Sequence, residues 1–338
     1  MTDHRALDAA PDGSEAADFA LAEAEAELAA DLEAIAPRTP RPVPGTSRHR
    51  LRPVLGFLTI LAAILVVWEG AKLLGGDRLA LDGILGLPIR IDHRPPFQWK
   101  IANDLSLPHL WTVFNAFFVQ DAVGDTLAVR LLWAAFATFR GALVGFALGA
   151  GIGLLLAIVL IQVRLLERSL VPLLVASQTV PIVAIAPVIV VGLKAGWFGI
   201  ALVAGYLTFF PVTIAATRGM RSADPRAFEL LRSYAASNRD VLLRLRLPAA
   251  APYLFTAFKI AATASVVGAI VGELPSGTRE GLGGAILNAM QYYSIQPGRL
   301  WATIIVASLL GIGCFVLVVL AERRALRHYR PDDLGVAA

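Results

Sequence analysis

The 338 residues include one cysteine, Cys314, and it lies in an apolar run. That excludes an internal disulfide and a thiolate metal cage. Histidine is scarce too. His4, His49, His93, His109 and His328 are scattered, with no His-Glu-x-x-His spacing. No Gly-x-x-x-x-Gly-Lys-Ser/Thr phosphate loop occurs. The nearest glycine-rich run, EGLGGA at Glu280–Ala285, lacks the lysine. No catalytic residue, cofactor or metal site is therefore expected, and the chain is expected not to be an enzyme. Charge is sparse as well: 17% of residues are charged and 57% hydrophobic, where a soluble domain has about a quarter charged. A net charge of +4 gives no argument for nucleic acid, and no such partner is expected.

What the chain has instead is long apolar runs. A helix needs about 20 of them in sequence to cross the hydrocarbon core. Six stretches qualify: Val54–Leu74, Gly141–Ile161, Leu170–Leu193, Trp197–Thr217, Leu254–Glu273 and Trp301–Ala321. Leu131–Phe139 offers an extension of the second. The expected class is an all-α polytopic membrane protein in the cell membrane. Before the first span, residues 1–53 read as an acidic tail and then a Pro/Arg-rich linker. The acidic start has neither the basic beginning nor the apolar centre of a signal peptide.

Arginine sets the expected orientation. Arg38, Arg41, Arg48, Arg50 and Arg52 precede the first span, and Arg164 and Arg168 separate the second from the third. Seven arginines from Arg218 to Arg246 lie between the fourth and fifth, and Arg323, Arg324, Arg327 and Arg330 follow the sixth. With six crossings all these segments share one side, so both termini are cytoplasmic. Residues 75–130 then form an extracytoplasmic loop, 131–321 a core with a cytoplasmic loop at 218–252, and 322–338 a second tail.

Within the spans, Gly141, Gly145, Gly149 and Gly153 recur every four residues and form one stripe for close helix contact. Whether the partner is the same chain or a second copy stays open. Pro172, Pro181, Pro187 and Pro211 are expected to break helical hydrogen bonding in the third and fourth spans. Gln178, Thr179, Tyr206, Thr208, Thr263 and Ser265 are candidates to line a passage, with interhelical hydrogen bonding as the competing explanation. Glu69, Lys72, Arg140, Lys259 and Glu273 lie within snorkelling or pairing reach of an interface. No midplane series of acids suggests proton coupling, so an ion-coupled secondary transporter is the alternative rather than the main reading.

The loop RAFELLRSYAASNRDVLLRLRLPAAAP, Arg226 to Pro252, is amphipathic twice over. Asp224-Pro225 reads as a cap and a first-turn proline, and Ser237 to Asp240 as a capping box opening a second helix. Pro248 is expected to end that helix at Leu247. Two short capped helices with small apolar faces suit a groove on another protein.

This loop resembles that of permease subunits of binding-protein-dependent ABC importers, whose signature is Glu-Ala-Ala, three residues, Gly, nine residues, Ile-x-Leu-Pro. Glu229, Leu230 and Leu231 fall on the Glu-Ala-Ala, Ala235 on the Gly, and Leu245, Leu247 and Pro248 on the closing positions. Glu229, Leu247 and Pro248 match in identity, while Leu230, Leu231, Ala235 and Leu245 depart. The segments TFRGALVGFALG, QTVPIVAIAPVIVVGLKAGWFG, LPAAAPYLFTAFKIA and IVGEL look like the nitrate, sulfonate and taurine branch. The run GELPSGTREGLGGAILNAMQYY resembles permeases for riboflavin or a thiamine pyrimidine precursor. The resemblance implies a type I ABC importer permease fold and docking of cytoplasmic ABC ATPase subunits on the loop. It also implies a solute-binding protein outside, a second permease copy and surrounding lipid. Asp77 to Asp104 looks like an insertion.

Overall fold

In the computed structural model of the chain, residues 48–84, 87–120, 124–194, 196–278 and 280–328 are described. The acidic tail and most of the linker lie outside them. The chain separates into two compact units, Met1–Ile64 and Leu65–Ala338. In the first, the described residues belong to the start of helix α1, Arg48–Gly75. Thr59 donates its hydroxyl to the Leu55 carbonyl at 2.9 Å there, and Leu55, Phe57 and Ile60 are exposed. Apolar side chains with no protein cover suit a helix whose solvent is lipid.

The second unit is helical apart from one hairpin, β1 (Leu79–Ile84) and β2 (Leu87–His93), antiparallel with Leu79 opposite His93. It occupies the segment that reads as an insertion, and it qualifies the all-α expectation. Helix α2 (Leu110–Ala116) follows, then α3 (Leu127–Gln162). At 1.5 Å per residue α3 is about 54 Å long, well beyond the roughly 30 Å core, so the expected second span, Gly141–Ile161, is only its inner part. The extra turns, from Leu127, continue that span without a break and take in the Leu131–Phe139 extension, with Leu131 and Ala134 buried.

The expected third span is not one helix. It comprises α4 (Arg164–Ser177) and α5 (Ile182–Pro187) continuing as a π turn to Gly192, with an 89° bend between the pieces. Pro181 precedes α5 in extended backbone, with ψ 122°, and so stands at the corner. Helix α6 (Gly196–Arg221) runs unbroken through Pro211, contrary to the expected break, because it is packed on both flanks by α3 and α9. Short helices α7 (Pro225–Ser233) and α8 (Asn238–Val241) follow, then a π turn, Leu242–Arg246, leading into α9 (Leu247–Ser276). The unit closes with α10 (Leu282–Gln291) and α11 (Pro297–Ala325).

Pro248 does not end a helix. Arg246 and Leu247 keep helical backbone, and α8, the π turn and α9 form one apolar helix, Asn238–Ser276. A π turn widens the helix by one residue and admits a proline that has no N–H to give.

Helix α6 is the centre because it packs on both α3 and α9: 44% of its apolar window is buried, as for the helix that includes α9, against 6% for α11. Ala216, Met220, Ala250, Leu254 and Ala257 form one core at the α6–α9 contact, and Ala142, Ile200, Ala204 and Ala269 another further along. Side-chain pairs sort the segments onto two ends. Glu167 pairs with Arg221, and Lys259 with Glu322 at 3.0 Å. At the other end Arg140 lies over Trp197 at 4.4 Å, Trp68 meets Trp301 edge-on at 4.8 Å, and Thr138 bonds Glu273. Residue 167 is at one end and residue 197 at the other, so the bent α4–α5 pair must make the traverse. With five long apolar helices, it gives the sixth crossing.

Candidate functional site

At the arginine-rich end, α7 and α8 form a compact step between α6 and α9. Asp224 accepts from the Arg226 N–H at 2.8 Å, with Pro225 at the first helical position. The end of α7 is a Schellman turn: Ala235 N donates to Arg232 O at 2.9 Å and Ala236 N to Leu231 O at 3.0 Å. Such a turn needs a left-handed residue, and Ala235 supplies it at φ 53°. The turn is therefore built at the position where the signature has glycine, by a residue that is strained there. Ser237 Oγ then accepts from Asp240 N at 3.2 Å and caps α8. The same hydroxyl, with Arg244 and Arg239 adding positive charge, holds the Asp240 carboxyl below the usual carboxylate range.

Phe228 sits under two guanidinium groups, Arg232 at 5.1 Å and Arg246 at 5.5 Å, which ties α7 to the π turn. Beneath, Gly219 lies so close to Ala250 that a Cβ would come within 2.8 Å of its Cα. The outward face carries Glu229, Leu230 at 57% exposure, Tyr234 at 77% and Leu243. Leu231, Leu245, Leu247 and Pro248 are half-buried. The sequence reading missed Tyr234 as an exposed aromatic; it is the C-cap residue of α7.

The glycine stripe faces α6 of the same chain. A Cβ on Gly145 would sit 2.6 Å from Ala201 O, and one on Gly153 2.6 Å from Phe209 O; at Gly149 it would meet Gly205 and Thr208, and at Gly141 the Ile200 methyl. Of the passage candidates, Thr208 and Ser265 are buried and bond back to Ala204 O and Ala262 O, so they sit in helix contacts and border no open space in this conformation. Gln178 and Thr179 lie at the α4–α5 corner, where Tyr206 donates to Ser177 O. Thr263 is half-buried and bonds to Ile260 O.

The opposite end holds a site that the sequence reading treated as an interfacial acid. Glu273 is 2% exposed. Its carboxylate accepts from Thr138 Oγ at 2.8 and 3.0 Å and from Gly283 N at 2.7 Å, while Thr138 Oγ accepts from Leu282 N at 2.9 Å. The carboxylate thus occupies the N-terminus of α10, where orphan N–H groups favour an anion. A Cβ on Gly281 would collide with it. The glycine-rich run, Gly281 to Gly284, is a cradle for the internal carboxylate of Glu273. Beside it opens a cavity of about 830 Å³, with Trp133, Phe136 and Arg140 of α3 on one wall and Asn288 and Gln291 of α10 on another. Nearby, Glu69 bonds His109 at 2.7 Å, and buried Lys72 reaches Asp104 at 2.6 Å and Ala102 O at 2.7 Å. These two interfacial charges are paired within the protein.

Residues 149–327 match the family described as the binding-protein-dependent transport system inner membrane component. The chain belongs to this family. It is the permease subunit of an ABC importer, a multi-pass protein of the inner membrane. Among its relatives, the formylaminopyrimidine transport permease protein ThiX of Halalkalibacterium halodurans is 36% identical over 80% of this chain and 93% of its own length. The riboflavin transport system permease protein RibX of Chloroflexus aurantiacus is 34% identical over 72% of this chain and 90% of its own. The nitrate import permease protein NrtB of Synechococcus elongatus is 21% identical over 67% and 73%. The permease therefore falls in the branch that includes nitrate and vitamin-like solutes.

Proposed function

We propose that α7 and α8 are the cytoplasmic step on which a partner ATPase docks, with Glu229, Leu230 and Leu231 on α7, Ala235 in the turn that ends it, Leu245 in the π turn, and Leu247 and Pro248 at the start of α9. The ATPase hydrolyses ATP and this chain performs no chemistry. A solute-binding protein delivers cargo to the outer end, which includes 274–300, and a second copy of the permease completes the path. The division into tails, outer loop and core, with residues 218–252 as the coupling loop, is part of this reading. Gln178, Thr179, Tyr206 and Thr263 remain its candidates for the path; Thr208, Ser265 and the glycine stripe hold the helices around it together.

The observation that carries the proposal is the pair of capped helices, with Leu230, Tyr234 and Leu243 exposed, the second of them running without interruption into a membrane helix. Exposed apolar side chains on a charged surface mark a protein contact, and a continuous helix transmits displacement. The cargo we propose is a vitamin-like heterocycle, on the similarity to the formylaminopyrimidine and riboflavin permeases. A small anion of the nitrate or sulfonate kind is the second reading, favoured by Arg130, Arg140 and Arg299 on the cavity.

The test is reconstitution with the copurifying ATPase and the solute-binding protein. Glu229→Lys is expected to lose ATP-dependent uptake of formylaminopyrimidine, riboflavin or taurine, whichever the wild type carries, while membrane insertion is kept. Uptake at the wild-type rate would reject the docking assignment.

A further inference from the structure

We infer that Glu273 is a positioning residue that hands movement of the coupling helices to α10, and that α10 is the moving wall of the outer cavity. The inference rests on the ATP-driven reading above and adds to it the element that responds at the far end.

Three observations meet at one carboxylate. The helix Asn238–Ser276 is continuous from the docking step to Glu273, a rise of about 58 Å for its 39 residues. Thr138 of α3 and the first turn of α10 both bond to that residue or to its partner, so three helices join at a single point. Helix α10 packs through buried Leu282 in a core with Leu131 and Ala134 of α3 and Ala302 of α11, and it is set off by a turn at each end. Gly277 at φ 67° ends α9, and a turn at Tyr292–Gln296 precedes α11. Its Gly284, Ala285, Asn288 and Gln291 line the cavity, facing Trp133 and Arg140 of α3.

A carboxylate is a costly way merely to glue helices. A well-packed apolar side chain of similar volume joins them with less desolvation. What the charge adds is direction: it engages the Thr138 hydroxyl and a backbone N–H that points out of the start of α10. Gly281 and Gly283 lack the Cβ atoms that would bar its approach. Tilt or slide of α9 is therefore passed to α10 through this carboxylate, and Thr138 ties the same junction to α3. The cavity opens or narrows as the docking step moves, a rigid-body change between two packings.

The test uses the full permease assembled with its ATPase in lipid nanodiscs, in a Cys314→Ser background. One spin-label pair, Phe136→Cys with Asn288→Cys, spans the cavity; another, Leu165→Cys with Arg239→Cys, reports the docking end. Without further change, ATP with magnesium is expected to shift both distances. In Glu273→Ala and Thr138→Val only the docking-end pair is expected to respond, with transport per ATP hydrolysed falling roughly ten-fold, in the range of a coupling between sites. Thr138→Ser, which keeps the hydroxyl, is expected to restore the outer shift; a contribution from packing alone gives no such rescue. Persistence of the outer shift in both Glu273→Ala and Thr138→Val overturns the inference. If Glu273→Ala does not assemble, Glu273→Gln replaces it and Thr138→Val decides. Should the docking-end pair respond while the outer pair is silent without these changes, the inference alone fails. Silence of both pairs removes the ATP-driven reading and the inference together.

Discussion

At the scale of single residues, Ala235 carries the most information for its size. A left-handed alanine costs about 1 kcal/mol relative to glycine. Ala235→Gly is therefore expected to tighten the end of α7, slowing amide exchange at Ala235 and Ala236 about five-fold. Ala235→Val, with a branched side chain at positive φ, is expected to speed it; unchanged exchange in both variants would show that the turn is unstrained. Gly149 makes a second prediction. Its Cα faces Gly205 and Thr208 with no room for a methyl group, so Gly149→Val is expected to cost about 2 kcal/mol or more. Thermal denaturation in detergent should show a lower midpoint, with Gly151→Val as control because nothing lies within 4 Å of that site. Spacing alone revealed the stripe, since four glycines one turn apart have few other uses in a membrane. It could not reveal the partner, which depends on how α6 folds back. Thr138 was invisible for the same reason: its hydroxyl matters only because residues 273 and 282 arrive beside it.

At the scale of elements, the caps were legible and the prolines were not. Asp224-Pro225 and Ser237 to Asp240 act through neighbours two or three residues away, so local sequence contains the whole interaction. A proline's effect depends on what surrounds the freed carbonyl. Pro181 stands at a corner, Pro211 sits within a continuous helix, and Pro248 follows directly on a π turn. The Lys259–Glu322 pair, bonded at 3.0 Å through both carboxylate oxygens, joins α9 to α11 with each side chain about one-fifth exposed. Removing one partner strands the other charge, so Lys259→Met is expected to destabilise by about 1–3 kcal/mol. Adding Glu322→Gln should recover most of the loss. A double variant no better than the single would mean the pair does not couple the two helices.

At the scale of the whole molecule, the arginine distribution and the pairings agree on which segments share an end. Impermeant thiol reagent applied to intact cells should label Leu287→Cys and spare Arg239→Cys, both in a Cys314→Ser background; the reverse pattern would invert the topology. The central place of α6 has a further implication, for how the protein is made. Its buried surface is small and polar in places, with Gly199, Gly205, Thr208 and Thr213, and is poorly matched to lipid tails. During synthesis α3 leaves the ribosome before α6 exists, so its glycine groove waits empty while the bent pair is threaded. A nascent chain that stalls before residue 196 exposes that groove, and membrane quality-control proteases or insertion chaperones that sense unfilled helix surfaces would meet it there.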